Sequence, residues 1–274
     1  MNIIEAVILA VVEGLTEFLP VSSTGHMIIT SSLLGIQKDQ FTKLFEVSIQ
    51  FGAILAVVVL YGRKFFEFRR WQFYVKLIIG VLPALILGYF FADKIDDLLE
   101  NPTAVAIAML CGGVILLFID RVFRKPRIES DDQISYPKAF IVGLWQTLAM
   151  VPGVSRSAAS IIGGMQQKFT RFLAAEFSFF LAVPTMFAAT VYSLFVKKWE
   201  QDGVVKKGIQ IITSNSENTI SFIVGNLVAF AVALFAIRFF INYLTIYGFR
   251  IFGVYRIIAG IILLVLLFTG IIQR

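Results

Sequence analysis

Carboxylates, hydroxyls and the chain's single histidine fall together between Glu13 and His26, inside sequence that is otherwise apolar. Glu13 and Glu17 stand four residues apart, so on a helix both carboxylates share one face about one turn from each other. That spacing suits a hard divalent cation, Mg²⁺ or Ca²⁺, which takes oxygen ligands. The plainer readings are solvation near a membrane surface and hydrogen bonding to neighbouring helices. Burying a carboxylate in an apolar segment is costly unless it is paired or metal-bound, which favours a functional role.

After Pro20 the chain reads Val21-Ser22-Ser23-Thr24-Gly25-His26. A serine there caps a new half-helix whose first N–H groups and positive dipole end attract a phosphate; for Ser22 or Thr24 alone, capping explains as much as substrate binding does. His26 lies three residues after Ser23 and four after Ser22, within a helical turn of either hydroxyl, which is the arrangement of a nucleophile and its base. A lone histidine is also often a packing residue, and attack by His26 itself is the other mechanism this set allows.

A second stretch, Pro152-Gly153-Val154-Ser155-Arg156-Ser157, repeats the pattern of a break followed by a half-helix start. Arg156 carries a fork of donors suited to phosphate oxygens, or it neutralises Glu13 and Glu17; the two roles are compatible. Ser155 and Gln146 would join it in binding substrate, Gln146 completing a polar shell. Glu46 and Glu176 read as structural, each bonding to a facing hairpin. Asp93, Asp96, Asp97 and Glu100 read as a solvated acidic loop.

These groups must be positioned by a protein that folds in lipid. Of 274 residues 58% are hydrophobic and 15% charged, and the mean hydropathy is +0.84, well outside the range of soluble domains. The formal charge of +6 sits in short connections between apolar runs, where it reports orientation and attraction to anionic headgroups, so nucleic acid is not an expected partner. One cysteine, Cys111, excludes an internal disulfide and a thiolate cluster. The N-terminus has no basic n-region and no small-residue cleavage site, and reads as mature structure.

Six apolar runs approach the roughly 20 helical residues that cross a bilayer: about 43–61, 75–92, 102–119, 172–194, 219–241 and 251–272. Two more, 3–34 and 138–167, are interrupted by the motifs above and read as re-entrant helical hairpins, whose irregular backbone needs cover from protein or a watery cavity. Basic residues place the connections 62–76 and 120–138 in the cytoplasm. The connection 195–218 carries Lys197, Lys198, Lys206 and Lys207, against the rule, although chain parity puts it outside. A hairpin and three spans in each half make the second half inverted relative to the first. The predicted architecture is therefore an all-α integral membrane protein: a single membrane domain of inverted repeats, 1–120 and 137–274. Glu13 through Ser23 aligns without a gap on Gln146 through Arg156, and Phe45-Glu46-Val47-Ser48 echoes Ala175-Glu176-Phe177-Ser178.

The run from Glu13 to His26 and the run Pro152–Ser157 resemble the signatures of the undecaprenyl-diphosphate phosphatase family of the bacitracin-resistance type, with Ala158 where the family pattern leads one to expect glycine. The resemblance spans nearly the whole chain. It implies hydrolysis of undecaprenyl diphosphate to the monophosphate carrier lipid used in cell-wall synthesis, with a divalent cation, in the bacterial cytoplasmic membrane, at a site open to the outer face. Its partners would be that substrate and membrane lipid, and a homodimer is left open. In this frame Glu17 and Glu13 hold the cation, Arg156 and the half-helix starts neutralise phosphate, and Ser23 attacks with His26 as base or proton shuttle. The rival from another class is a secondary transporter or flippase for a lipid phosphate or other anion, since broken helices in inverted repeats also build carriers.

Overall fold

The computed structural model describes residues 1–99, 101–201 and 203–272. Helix α1 (Ile3–Thr16) and α2 (Ser23–Leu33) are followed by α3 (Gln40–Leu60), a single turn α4 (Gly62–Phe65), α5 (Trp71–Phe90), α6 (Ala92–Leu99) and α7 (Pro102–Val122). Then come α8 (Tyr136–Thr147), α9 (Arg156–Gln166) and α10 (Arg171–Val191), which continues through a π-helical turn, Tyr192–Val196. Strands β1 (Lys198–Gln201) and β2 (Val204–Lys207), a short α11 (Gly208–Ile212), α12 (Ser216–Tyr247) and α13 (Arg250–Phe268) complete the chain.

Among the described residues, six helices have the length and composition to cross a membrane: α3, α5, α7, α10 with its π turn, α12 and α13. The chain is a multi-pass membrane protein. Only a third to a half of each span is buried, and the remaining faces are large apolar side chains such as Phe235, Phe239, Tyr89 and Phe268, the surface that lipid tails cover. By contrast α1, α2, α8 and α9 have 14, 11, 12 and 11 residues. At about 1.5 Å per residue none reaches the roughly 30 Å of a hydrocarbon core.

Several expectations change. The span expected at 219–241 is a 32-residue helix, because Asn215 caps its start by accepting from the Asn218 N–H and nothing breaks the run before Gly248, whose φ is 74°. The connection 195–218 is not plain loop in an all-α chain: β1 and β2 pair antiparallel around Gly203, whose φ of 74° suits glycine. The hairpin is anchored by Trp199, buried, with Nε1 donating to the Ser193 carbonyl at 2.9 Å. The expected acidic loop after α5 instead carries helix α6; Glu100 and the side chains of Asp93, Asp96 and Asp97 lie outside the described residues.

The two sides of the bundle are separated by what packs there. Arg70 donates to Asp131 and Asp132 at 2.8 and 2.9 Å, Lys76 to the Asp131 carbonyl, and Lys64 pairs with Glu176 at 2.8 Å. The connections 61–71 and 123–135 therefore share one face. Glu176 bonds there to Lys64 of the α4 turn, not to a hairpin. Elsewhere a cluster of Ala6, Leu9, Phe41, Leu44, Leu194, Trp199 and Ile211 joins the starts of α1 and α3 to the connection 195–215.

Candidate active site

Both breaks are built alike. Ser22 has φ 71° and caps α2 by accepting from the Gly25 N–H; Ser155 has φ 73° and caps α9 by accepting from the Ala158 N–H at 3.2 Å. A non-glycine residue in the left-handed region costs about 1–2 kcal/mol, so these two serines, at matched positions of the sequence repeat, hold sharp turns that the surroundings enforce. Each turn points a half-helix start, Ser23 or Arg156, into the same interior volume.

There the groups meet. Ser23 Oγ donates to Glu17 Oε2 at 2.6 Å, and Arg156 Nη2 donates to Glu17 Oε1 at 3.1 Å. The other arm of Arg156 holds the Ser178 carbonyl at 2.9 Å and its hydroxyl at 3.2 Å, and the guanidinium carbon lies 5.6 Å from the Phe18 ring centroid. Ser157 donates to the Phe18 carbonyl at 2.7 Å, so the second break also grips the backbone of the first. Glu17 and Arg156 are mostly buried, and deleting either leaves an uncompensated buried charge at a cost of about 3–5 kcal/mol. Glu13, 1% exposed, lies beside Glu17 and within electrostatic range of Glu46 and Arg156, and its Oε1 has no hydrogen-bond partner among the described residues.

His26 bonds to neither serine hydroxyl. Its Nδ1 contacts the Ser22 carbonyl and its Nε2 the Tyr255 hydroxyl, both at 2.8 Å. The sequence spacing places a histidine within one turn of Ser23, but the ring turns outward to α13, and the acceptor on Ser23 is Glu17. Thr24 is half-buried on the first turn of α2. Gln146, buried, donates from Nε2 to Thr185 at 3.0 Å with Oε1 unpartnered among the described residues, and so bonds to α10 and not to Glu17. No group of three or more His, Cys, Asp or Glu side chains arranged for a metal occurs among the described residues.

The sequence matches the family described as bacitracin resistance protein BacA over residues 6–262. The chain belongs to that family. It is 54% identical to the undecaprenyl-diphosphatase of Flavobacterium psychrophilum, covering 98% of this chain and 97% of the relative. It is 48% identical to that of Porphyromonas gingivalis over 99% of both chains, and 41% identical to that of Campylobacter jejuni, covering 100% of this chain and 97% of the relative. Family membership thus extends across both breaks and the helices that position them.

Three groups escaped the sequence reading. Ser178 was visible only as the end of the Ala175-Glu176-Phe177-Ser178 echo; it now anchors Arg156 and pairs with Ser160 at 2.6 Å. Tyr255 and Arg256 sit in a plain apolar span, with no motif to mark them.

Proposed function

We propose that the chain hydrolyses undecaprenyl diphosphate to undecaprenyl phosphate and phosphate, returning the carrier lipid to cell-wall synthesis. The carrying observation is the Ser23–Glu17–Arg156 chain, which joins a hydroxyl, a carboxylate and a guanidinium across two opposed helix breaks in a protein whose near-full-length relatives are undecaprenyl-diphosphatases. A carrier needs anion-binding groups, yet has no use for a serine hydroxyl hydrogen-bonded to a carboxylate.

Ser23 Oγ attacks the terminal phosphorus while its proton passes to Glu17 Oε2. The bond from that phosphorus to the bridging oxygen breaks and its electron pair leaves with undecaprenyl phosphate. Water then cleaves the phosphoserine, its hydroxide going to phosphorus and its proton to Ser23 Oγ, and Glu17 gives the proton it took to solvent, so phosphate leaves and both side chains are restored. Arg156 and the N–H groups starting α2 and α9 receive the charge that builds on the phosphoryl oxygens, with Ser22, Thr24 and Ser155 shaping that cradle and Gln146 bordering it. The unpartnered Oε1 of buried Glu13, next to Glu17, suits a hard cation. When bound, Mg²⁺ or Ca²⁺ held by Glu13 and Glu17 neutralises diphosphate charge as a Lewis acid. His26, turned toward Tyr255, shuttles protons at the rim instead of activating Ser23.

The architecture proposed with this chemistry has α1–α2 and α8–α9 as re-entrant hairpins of a single domain. Its repeats, 1–120 and 137–274, are inverted in the bacterial cytoplasmic membrane, and the site opens to the outer face. Short half-length helices and the matched Ser22 and Ser155 caps support it.

Phosphate release by purified protein in detergent tests the function. Release from undecaprenyl diphosphate should stop with chelator and return with Mg²⁺ or Ca²⁺. Ser23→Ala should lower kcat on the order of 10³-fold or more. Metal-independent release, or full activity of Ser23→Ala, would contradict the mechanism.

A further inference from the structure

Among the described residues Arg256 is the largest fully buried side chain, at 0% exposure, and each acceptor it uses there is a backbone carbonyl. Nε donates to Met109 at 3.0 Å, Nη1 to Pro20 at 3.4 Å, and Nη2 to Ala108 at 3.2 Å, to Val154 at 2.7 Å and to Gly153. Pro20 belongs to the first break, Gly153 and Val154 to the second, and Ala108 and Met109 to α7. Broken helices leave carbonyls without intrahelical donors, and such groups inside a membrane are costly. One planar guanidinium with donors fanned in fixed directions satisfies several at once, which a lysine ammonium cannot reproduce.

We infer that Arg256 is a positioning residue for the hydrolytic site. By clamping the carbonyls of both breaks it fixes the half-helix start that carries Ser23 against the one that carries Arg156. Pro20 lies three residues before Ser23, and Val154 two before Arg156. The Ser23–Glu17–Arg156 chain runs between these same two breaks, so any slip between them lengthens its hydrogen bonds, and misplacements of about 1 Å at reacting groups cost about 10²-fold in rate. Space for the clamp comes from Gly112 on α7, where an added Cβ would meet the guanidinium. This inference rests on the functional reading above and names the device that keeps its two halves in register.

The test uses Arg256→Met, Arg256→Lys and Gly112→Ala in the full chain. Gly112→Ala leaves the arginine in place and substitutes the better helix former, so it disturbs the clamp without threatening α7. The expected result is a fall in kcat of about tenfold or more in each variant, with KM within about threefold and Gly112→Ala unfolding at a higher midpoint than Arg256→Met, because it keeps the arginine. In the Arg256→Met background Gly112→Ala should add less than about twofold, because both act through one contact.

A readout independent of catalysis is the distance between spin labels at positions 15 and 148, exposed sites beside the two breaks, with Cys111 replaced by serine. The distribution should broaden in Arg256→Met and Gly112→Ala. A parent enzyme that releases no phosphate defeats the functional reading, while the label distances still decide the clamp. Unchanged distances, a kcat within about threefold of the parent in Gly112→Ala, or a loss confined to KM would overturn the inference.

Discussion

At Ser22 one backbone carbonyl fixes the chemistry of the neighbouring ring. A carbonyl can only accept, so His26 Nδ1, 2.8 Å away, carries the proton, and in the neutral imidazole Nε2 is left to accept from Tyr255. The side chain is thereby committed to α13, and Ser23 is free to use Glu17. Because His26 is the only histidine in the chain, its ¹⁵N resonances need no assignment by mutation. The expected spectrum at neutral ring charge shows the proton on Nδ1. Tyr255→Phe should move the Nε2 resonance and leave Nδ1 protonated. A proton found on Nε2 in the parent would mean that the ring does not bond to the Ser22 carbonyl, and would reopen His26 as the base for Ser23.

Among the elements, the half-helices depend on close backbone approach. Gly143 on α8 sits against Gly80 on α5, and a Cβ at 143 would meet the Gly80 carbonyl. Small residues allow such contact in membranes, where close packing and hydrogen bonds drive helix association without a hydrophobic gain. Gly143→Ala should therefore destabilise the protein by about 1–3 kcal/mol through overpacking, measured by unfolding in mixed micelles. Gly62→Ala, where a Cβ would meet only Phe66 at ordinary contact distance, should have little effect. Equal effects at the two sites would refute the packing argument.

The same elements show what sequence can carry. Pro20, Pro152 and the serines after them are punctuation with local physics, so the breaks and the half-helix starts that follow them are legible, while the identity of each capping serine is not. The six spans were readable because length and apolarity decide them. Arg256 was not: an arginine in a span gives no sign of its partners, and its acceptors are carbonyls, which every residue has. Nor was the β1–β2 hairpin, whose lysines masked the pairing, nor the outward turn of His26, since spacing along a helix sets proximity but not rotamer.

In the whole molecule two packed clusters mark the two faces. The structure joins 61–71 to 123–135 through Arg70, Asp131 and Asp132, and joins 195–215 to the starts of α1 and α3 through Trp199, Leu44 and Leu9. Helix α3 connects these two clusters, entering beside Phe41 and leaving at Leu60 before the Arg70 network, so a spanning α3 puts them on opposite sides. Arginine and lysine in the short connections then predict the absolute direction: Arg63, Lys64, Arg69, Arg70, Arg121, Arg124, Lys125 and Arg127 all belong to the first face, the one the positive-inside rule expects in the cytoplasm. The lysines of the hairpin count for less, because they are bound into folded structure anchored by Trp199. Single cysteines introduced into a Cys111→Ser chain test this in intact bacterial cells. A membrane-impermeant maleimide should label position 203, at the hairpin turn, without permeabilisation. Position 67 or 129, both exposed on the opposite face, should be labelled only after the membrane is opened. Labelling of position 67 in intact cells would invert the protein and turn its site toward the cytoplasm.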